Sequence, residues 1–139
     1  MSTLESAAAL LRESVHTCIL CKPGLLLTSE KRGIVPLLEH WEAGRLQGAF
    51  VADKIIGKAA AMLLILGGAK GVYGEVMSEK ARELLLAARV ETAFGSLAPY
   101  IINRKGDGLC PMEQAVLELD DPKDVPAALK ATLQRLSNS

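Results

Sequence analysis

The sequence predicts an α/β protein in which a mixed sheet begins with an antiparallel hairpin and carries helices on both faces. Three observations predict this class. From residue 47 onward, short apolar runs alternate with helix-like patterns, as expected for parallel strands joined by crossover helices. Two earlier apolar runs flank Pro23-Gly24, which is typical of a hairpin turn. The segment after Asp53 is apolar around most of its circumference, which predicts a central helix.

The chain has 139 residues and is predicted to form one domain over residues 1–139. Half of its residues are hydrophobic and 23% are charged, which is the composition of a globular protein. Sixteen basic and sixteen acidic residues leave no net charge, so the broad positive surface of a nucleic-acid-binding protein is missing. We therefore expect no nucleic-acid partner.

Cysteine count and hydropathy predict a cytoplasmic location. Three cysteines are too few, and odd in number, for a disulfide framework. The longest unbroken apolar run, residues 59–66, is well short of the ~18 residues that span a bilayer. The first residues lack the basic stretch and cleavage site of a signal peptide, so neither secretion nor a membrane partner is expected.

The first half of the chain is predicted to contain two helices and a hairpin before the central helix. Ser2 and Glu5 form a capping box for a helix whose inward positions include Leu11 and Val15. The hairpin strands are predicted at 17–21 and 25–28, and a second helix at 33–43 contains Pro36 near its start. A strand at 47–52 is then followed by the central helix, from Asp53 to Gly67-Gly68.

The second half is predicted to continue the alternation. A strand at 72–77 precedes a helix capped by Ser78, and a further strand follows at 90–94. Residues 103–108 form a polar turn, Pro111 opens a helix through Leu119, and a last helix follows Asp121-Pro122.

Common nucleotide and metal motifs are absent, so no cofactor is expected. Gly57-Lys58 resembles the end of a phosphate loop, but Ala52 stands at the first glycine position and Ala59 replaces the magnesium-binding hydroxyl residue. The glycines between 67 and 74 lack the dinucleotide spacing. Cys18 and Cys21 lie three apart in a predicted strand and face opposite sides, so they cannot chelate one ion.

Four separated segments point to a family. They read RGIVPL at 32–37, DKIIGKAAA at 53–61, PYIINR at 99–104 and GLCPME at 108–113. Together they resemble a family of small prokaryotic proteins of unknown function that is assigned to the cytidine deaminase-like superfamily. The resemblance implies a three-layer α/β/α sandwich. It also implies that the helix beginning near Asp53 takes the place of the helix that carries the active site in zinc deaminases.

The sequence departs from true deaminases at the residues that matter for chemistry. Those enzymes need His-x-Glu or Cys-x-Glu at that helix and Pro-Cys-x-x-Cys at the next. Here the matching stretches read KAA at 58–60 and, approximately, VMSEK at 76–80, so the zinc ligands and the catalytic glutamate are missing. The resemblance therefore supports the fold and argues against zinc-dependent deamination.

Two lysines are the first candidates for ligand binding. Lys54 and Lys58 are four apart on the predicted central helix, near its N-terminus, where like charges repel and the helix dipole disfavours cations. A bound anion would relieve this, with Asp53 capping the helix or positioning one lysine. The alternative is that both lysines extend into solvent.

Cys110 is the candidate nucleophile. It precedes Pro111, so it is predicted at the start of a helix, where the dipole favours a thiolate and Arg104 adds to that effect. Glu113, one turn away, is the nearest candidate base. The alternative is a small residue that starts a helix.

Arg32 and Asn103 lie in predicted turns beside the quoted segments and could bind phosphate or carboxylate. For Asn103 the alternative is local bonding to the backbone of its own turn.

Two hypotheses of function follow, and we favour the first. In the first, the domain is a zinc-free binding module for a small anionic or nucleotide-like molecule. In the second, it is a zinc-independent enzyme acting on such a molecule, with Cys110 as nucleophile and Lys54, Lys58 and Arg104 stabilising charge. A third interpretation makes the chain a subunit whose apolar helices serve assembly into a homo-oligomer.

Overall fold

The fold is a five-stranded mixed sheet covered by helices, seen in a computed structural model that describes residues 3–138. The strands are β1 Cys18–Lys22, β2 Leu25–Ser29, β3 Phe50–Ile56, β4 Gly71–Ser78 and β5 Glu91–Ala98. The helices are α1 Leu4–Arg12, α2 Val35–Glu42, α3 Lys58–Gly67, α4 Glu79–Ala87, α5 Pro111–Val116 and α6 Val125–Ser137, with a 3-10 turn at Pro122–Asp124.

The strand order is β2-β1-β3-β4-β5, and it confirms the predicted α/β class. β1 pairs antiparallel with β2 and β3, whereas β3, β4 and β5 run parallel to one another. The parallel strands are joined by α3 and α4, as the alternation predicts. Because β1 lies beside β3, Cys18 is placed opposite Asp53.

Each face of the sheet has its own apolar cluster. Leu4 and Leu11 of α1 pack with Ile19, Ala52 and Tyr73 on one face. Leu20, Val51 and Val72 point to the other face, where they meet the remaining helices. On that second face α3 is buried from residue 59 to 64, which confirms the predicted central helix.

The predicted start of the central helix at Asp53 is wrong. The strand continues to Ile56, because Asp53 pairs with Gly74 and Ile55 with Val76 of β4. Ile55 and Val76 are β-branched and suit a sheet. The helix instead begins at Lys58, with Gly57 at its N-cap. Asp53 and Lys54 therefore lie on a strand, pointing to opposite faces, and Asp53 does not cap a helix.

The ends and caps of other helices agree with their predictions in part, and some of them differ. Ser2 lies outside the described residues, and Thr3 caps α1 by accepting a bond from the Ser6 amide at 3.0 Å. The predicted inward position of Val15 is wrong. The side chain is 77% exposed, because α1 ends before it. The predicted Ser78 cap is confirmed by a 3.1 Å bond from the Ala81 amide.

The helix that opens at Pro111 ends at Val116 rather than Leu119. Between residues 3 and 138, no helix combines the length and the apolar character that crossing a membrane requires.

Candidate functional site

A cavity of about 930 Å³ opens at the carboxyl end of β3. This volume lies in the range of roughly 300–1,000 Å³ that small-molecule sites occupy, and the position matches the general rule that α/β proteins bind ligands beyond the carboxyl ends of their strands. Residues from 32–37, 53–60 and 101–113 line the cavity, together with Thr17, Leu133 and Leu136. The four segments quoted from the sequence thus meet around one space.

Asp53 lies in the interior of this cavity and is only 6% exposed. Its Oδ1 accepts a bond from the Ile55 amide at 3.3 Å. Apart from the nearby Cys18 thiol, Oδ2 has no hydrogen-bond partner among the described residues. Burial raises the pKa of Asp53 to about 7, although the Ile55 amide and the Cys18 thiol favour its ionised form. Burial, followed by the charge of Asp53, raises the pKa of Cys18 well above its ordinary value.

The N-terminus of α3 is occupied by a carboxylate of the protein itself. Glu113 Oε1 accepts from the Lys58 amide and Oε2 from the Ala59 amide, both at 2.8 Å. Gly57 makes this approach possible, because a Cβ at residue 57 would clash with Glu113 Oε1. The predicted anion site at this helix start is therefore wrong, since Glu113 already binds those donors. For the same reason Glu113 is a helix cap rather than a free base.

The sequence predicts that Lys54 and Lys58 lie together on one helix face. In the structure their ammonium groups point to different partners. The Lys54 ammonium binds Glu75 Oε2 at 3.2 Å and the Leu11 carbonyl at 3.5 Å, on the α1 side of the sheet. The Lys58 ammonium donates to the Leu117 carbonyl at 3.1 Å, at the end of α5. Lys54 borders the cavity but directs its charge away from it, and Lys58 does not line the cavity.

Asn103 organises the loop that closes one side of the cavity. Its Oδ1 accepts from the Gly106 amide, and its Nδ2 donates to Asp107 Oδ1, both at 2.8 Å. A bridge between Ile102 and Leu109 completes the turn. The Asn103 side chain is therefore used within its own loop, which is the alternative left open by the sequence, and the residue also lines the cavity.

Three exposed cations, Arg32, Arg104 and Lys105, border the cavity, and none forms an ion pair within residues 3–138. Lys105 was missed by the sequence reasoning, although its position beside Arg104 in the polar turn was a usable signal.

The cavity wall below these cations is apolar. It includes Ile34, Leu37, Ala60, Ile101, Met112 and Leu133. The cavity thus combines an apolar interior, one buried carboxyl group and a positively charged rim.

Cys110 borders the cavity as the half-buried N-cap of α5. Its amide donates to the Ile101 carbonyl at 3.0 Å. Neither His16 nor His40 lines the cavity, and Glu113, the base suggested by the sequence, is bound to the first amides of α3. Residues 3–138 also contain no group of three His, Cys, Asp or Glu side chains arranged to hold a metal ion.

Comparisons with known proteins agree with this architecture. Residues 6–133 match a family described as "Domain of unknown function (DUF1893)". The crystal structure of a DUF1893 family protein from Thermotoga maritima is similar, with a TM-score of 0.82 and 26% sequence identity. The match covers 92% of this chain and 88% of that chain. No match is found among curated proteins.

Proposed function

The chain belongs to the DUF1893 family of domains of unknown function, and from its site we propose that it binds a small anionic, nucleotide-like molecule in the cavity at the end of β3. One observation carries the proposal: Arg32, Arg104 and Lys105 surround the mouth without an ion-pair partner among the described residues. Unpaired guanidinium and ammonium groups around a concave site favour phosphate or carboxylate.

The apolar wall supports a ligand with a substantial uncharged part. Ile34, Leu37 and Met112 give the interior a surface that suits a ring or a hydrocarbon segment and not a free inorganic ion. A nucleotide-like molecule has both features, since its phosphate would meet the rim while its base enters the cavity.

The fold supports the same interpretation. The strand order β2-β1-β3-β4-β5, with α3 directly after β3, supports the resemblance to the cytidine deaminase-like α/β/α sandwich. The cavity lies beside the start of α3, where that resemblance implies an active site. Because Lys58, Ala59 and Ala60 replace the expected ligand and acid positions, we propose binding without deaminase chemistry.

Catalysis by Cys110 is the less favoured alternative. A nucleophilic thiol needs a base within hydrogen-bond reach, and Glu113, the candidate, is held by the Lys58 and Ala59 amides. We therefore assign Cys110 to the lining of the binding site.

The test is calorimetric titration with ribose 5-phosphate and guanosine monophosphate (GMP). Arg104→Ala and Lys105→Ala should each weaken binding of both probes by about 10- to 150-fold, the range for losing a hydrogen bond to a charged group. The matched control is Arg82→Ala on α4, where the guanidinium lies over Phe94 away from the cavity lining. Equal effects of Arg104→Ala and Arg82→Ala, or no binding of either probe, would contradict the proposal.

A further inference from the structure

We infer that Asp53 determines which ligands this cavity accepts, by accepting hydrogen bonds from N–H groups at the inner end of the bound molecule. The inference rests on the proposed function, and it specifies the ligand class further. The ligand would carry a planar N–H donor edge at one end and an anionic group at the other.

The first argument is the state of the Asp53 side chain. It is nine-tenths buried and lines the cavity, yet Oδ2 lacks a hydrogen-bond partner other than the adjacent Cys18 thiol within the described part of the chain. Buried polar atoms are nearly always hydrogen-bonded, because an unsatisfied group loses its hydration without compensation. A buried carboxylate in the wall of a cavity, with one oxygen left unsatisfied by the protein, is therefore suited to accept a hydrogen bond from a bound molecule.

The second argument is that the other carboxylates around the cavity are already used. Glu113 binds the amides of α3, and Asp107 accepts from Asn103. Lys54, the cation next to Asp53 in sequence, turns to Glu75 on the opposite face. Asp53 is thus the carboxylate of the cavity with a buried oxygen, Oδ2, that has no hydrogen-bond partner beyond the Cys18 thiol among the described residues, and its sequence neighbour Lys54 pairs with Glu75 instead.

The third argument is the polarity of the site. The free cations stand at the mouth on Arg32 and on the loop that carries Arg104 and Lys105, whereas the free acceptor lies inside. A molecule that satisfies both must carry its anionic group outward and its donor inward, with an apolar body between them. An aromatic ring with N–H groups along one edge fits, because each carboxylate oxygen has two lone pairs: Oδ2 can accept one group, and Oδ1 can accept the other beside its bond from the Ile55 amide.

GMP and purine riboside 5′-monophosphate form a probe pair for this feature. Guanine presents a ring N–H and an amino group on one edge, whereas the purine ring keeps the same bicycle but lacks both donors and the O6 carbonyl, so Asp53→Asn is needed to assign a preference to the donors. Ribose 5-phosphate serves as the probe without a base.

The experiment is calorimetric titration of these three probes into the wild-type protein and Asp53→Asn. We expect the wild type to bind GMP at least about tenfold more tightly than purine riboside 5′-monophosphate, the discrimination typical of paired hydrogen bonds to a base edge. Asp53→Asn should remove most of this preference while leaving the affinity for ribose 5-phosphate unchanged. The wild-type comparison needs no variant, so equal affinities for the two nucleotides would count against the inference even where Asp53→Asn fails to fold.

Equal wild-type affinities for the two nucleotides, weakened alike by Arg104→Ala, would overturn the role of Asp53 and leave the proposed function standing. A GMP preference that persists in Asp53→Asn would do the same. Absence of binding by all three probes would overturn both proposals.

Discussion

Glu113 and Gly57 form a close contact in which the carboxylate occupies the space that a Cβ at residue 57 would take. The contact lets Glu113 bind the first two amides of α3 and ties α5 to the helix that follows β3. It also sets one wall of the cavity, because Gly57 and Glu113 both line it. The start of α3 therefore connects two segments that are far apart in the sequence, α3 and α5.

Removing the Glu113 carboxylate is predicted to destabilise the fold. Glu113→Gln loses charged acceptors for two helix amides, and we expect the free energy of unfolding to fall by about 1–3 kcal/mol. Urea denaturation measures this, with the exposed Glu118→Gln as the control. Loss of stability equal to that of the control would show that the cap contributes nothing.

Gly57→Ala is predicted to act through the same contact. The added Cβ displaces the Glu113 carboxylate, so we expect a loss of about 1–3 kcal/mol, and less additional loss when Glu113→Gln is combined with it. The double-mutant cycle measures the coupling. Strict additivity of the two changes would contradict a shared contact.

The pKa of Asp53 predicts a pH dependence of stability. In the folded protein it is raised to about 7, above the ordinary value of 3.8, so the folded state holds this proton more tightly. Wild-type stability should therefore fall as the pH rises from about 4 to about 7, by about 4 kcal/mol in total, at roughly 1.4 kcal/mol for each pKa unit. Asp53→Asn lacks this titration and should gain stability relative to the wild type across that interval.

The other titratable and charged groups around Asp53 are present in both proteins, so the comparison isolates the loss of the Asp53 carboxyl. They are Cys18 on β1, Lys54 on β3, Glu113 on α5, and Arg32, Arg104, Lys105, Asp107 and Cys110 around the cavity. Thermal unfolding of both proteins between pH 4 and pH 8 measures the difference. Parallel curves would show that Asp53 keeps an ordinary pKa.

Thiol accessibility gives a fourth prediction. Cys110 is half-buried and borders the cavity, whereas Cys18 and Cys21 are 0% and 6% exposed. Alkylation near neutral pH, followed by peptide mass spectrometry, should therefore modify Cys110 first, and the other two on the timescale of unfolding. Equal rates at all three cysteines would place Cys110 in the same environment as the sheet thiols.

The Lys58→Ala substitution has different expected outcomes from the sequence and from the structure. The sequence predicts relief of repulsion with Lys54 and weaker ligand binding. Because Lys58 instead donates to the Leu117 carbonyl and lies outside the cavity, we expect a loss of at most about 1 kcal/mol and unchanged affinity for ribose 5-phosphate. A clear fall in the affinity for ribose 5-phosphate would show that Lys58 contributes to the binding site.

Local patterns were sufficient to predict the hairpin, the alternation of strands and helices, and the buried helix α3. They failed at Asp53, because the extension of β3 depends on pairing with Gly74 and Val76 of a strand that comes later in the chain. The partners of Glu113 lie 54 and 55 residues away, so no spacing within one segment could indicate them.

Arg32, Arg104 and Cys110, which line the cavity, were named as candidates from the sequence for a different reason. They stand in the short segments that carry the family resemblance, and these segments surround the cavity. The apolar wall and the burial of Asp53 Oδ2 beside the Cys18 thiol required the assembled fold, since both arise from elements that meet only in three dimensions.

The central claim is that this cavity is the binding site, and backbone amide shifts in a ¹H–¹⁵N NMR titration with GMP test it most directly. The account predicts that the largest shifts fall on residues 32–37, 53–60 and 101–113. A second groove, of about 410 Å³ between α1 and the hairpin and lined by Ser6, Leu10, Lys22 and Leu26, provides the internal comparison. Shifts centred on that groove, or spread evenly over the surface, would contradict the account.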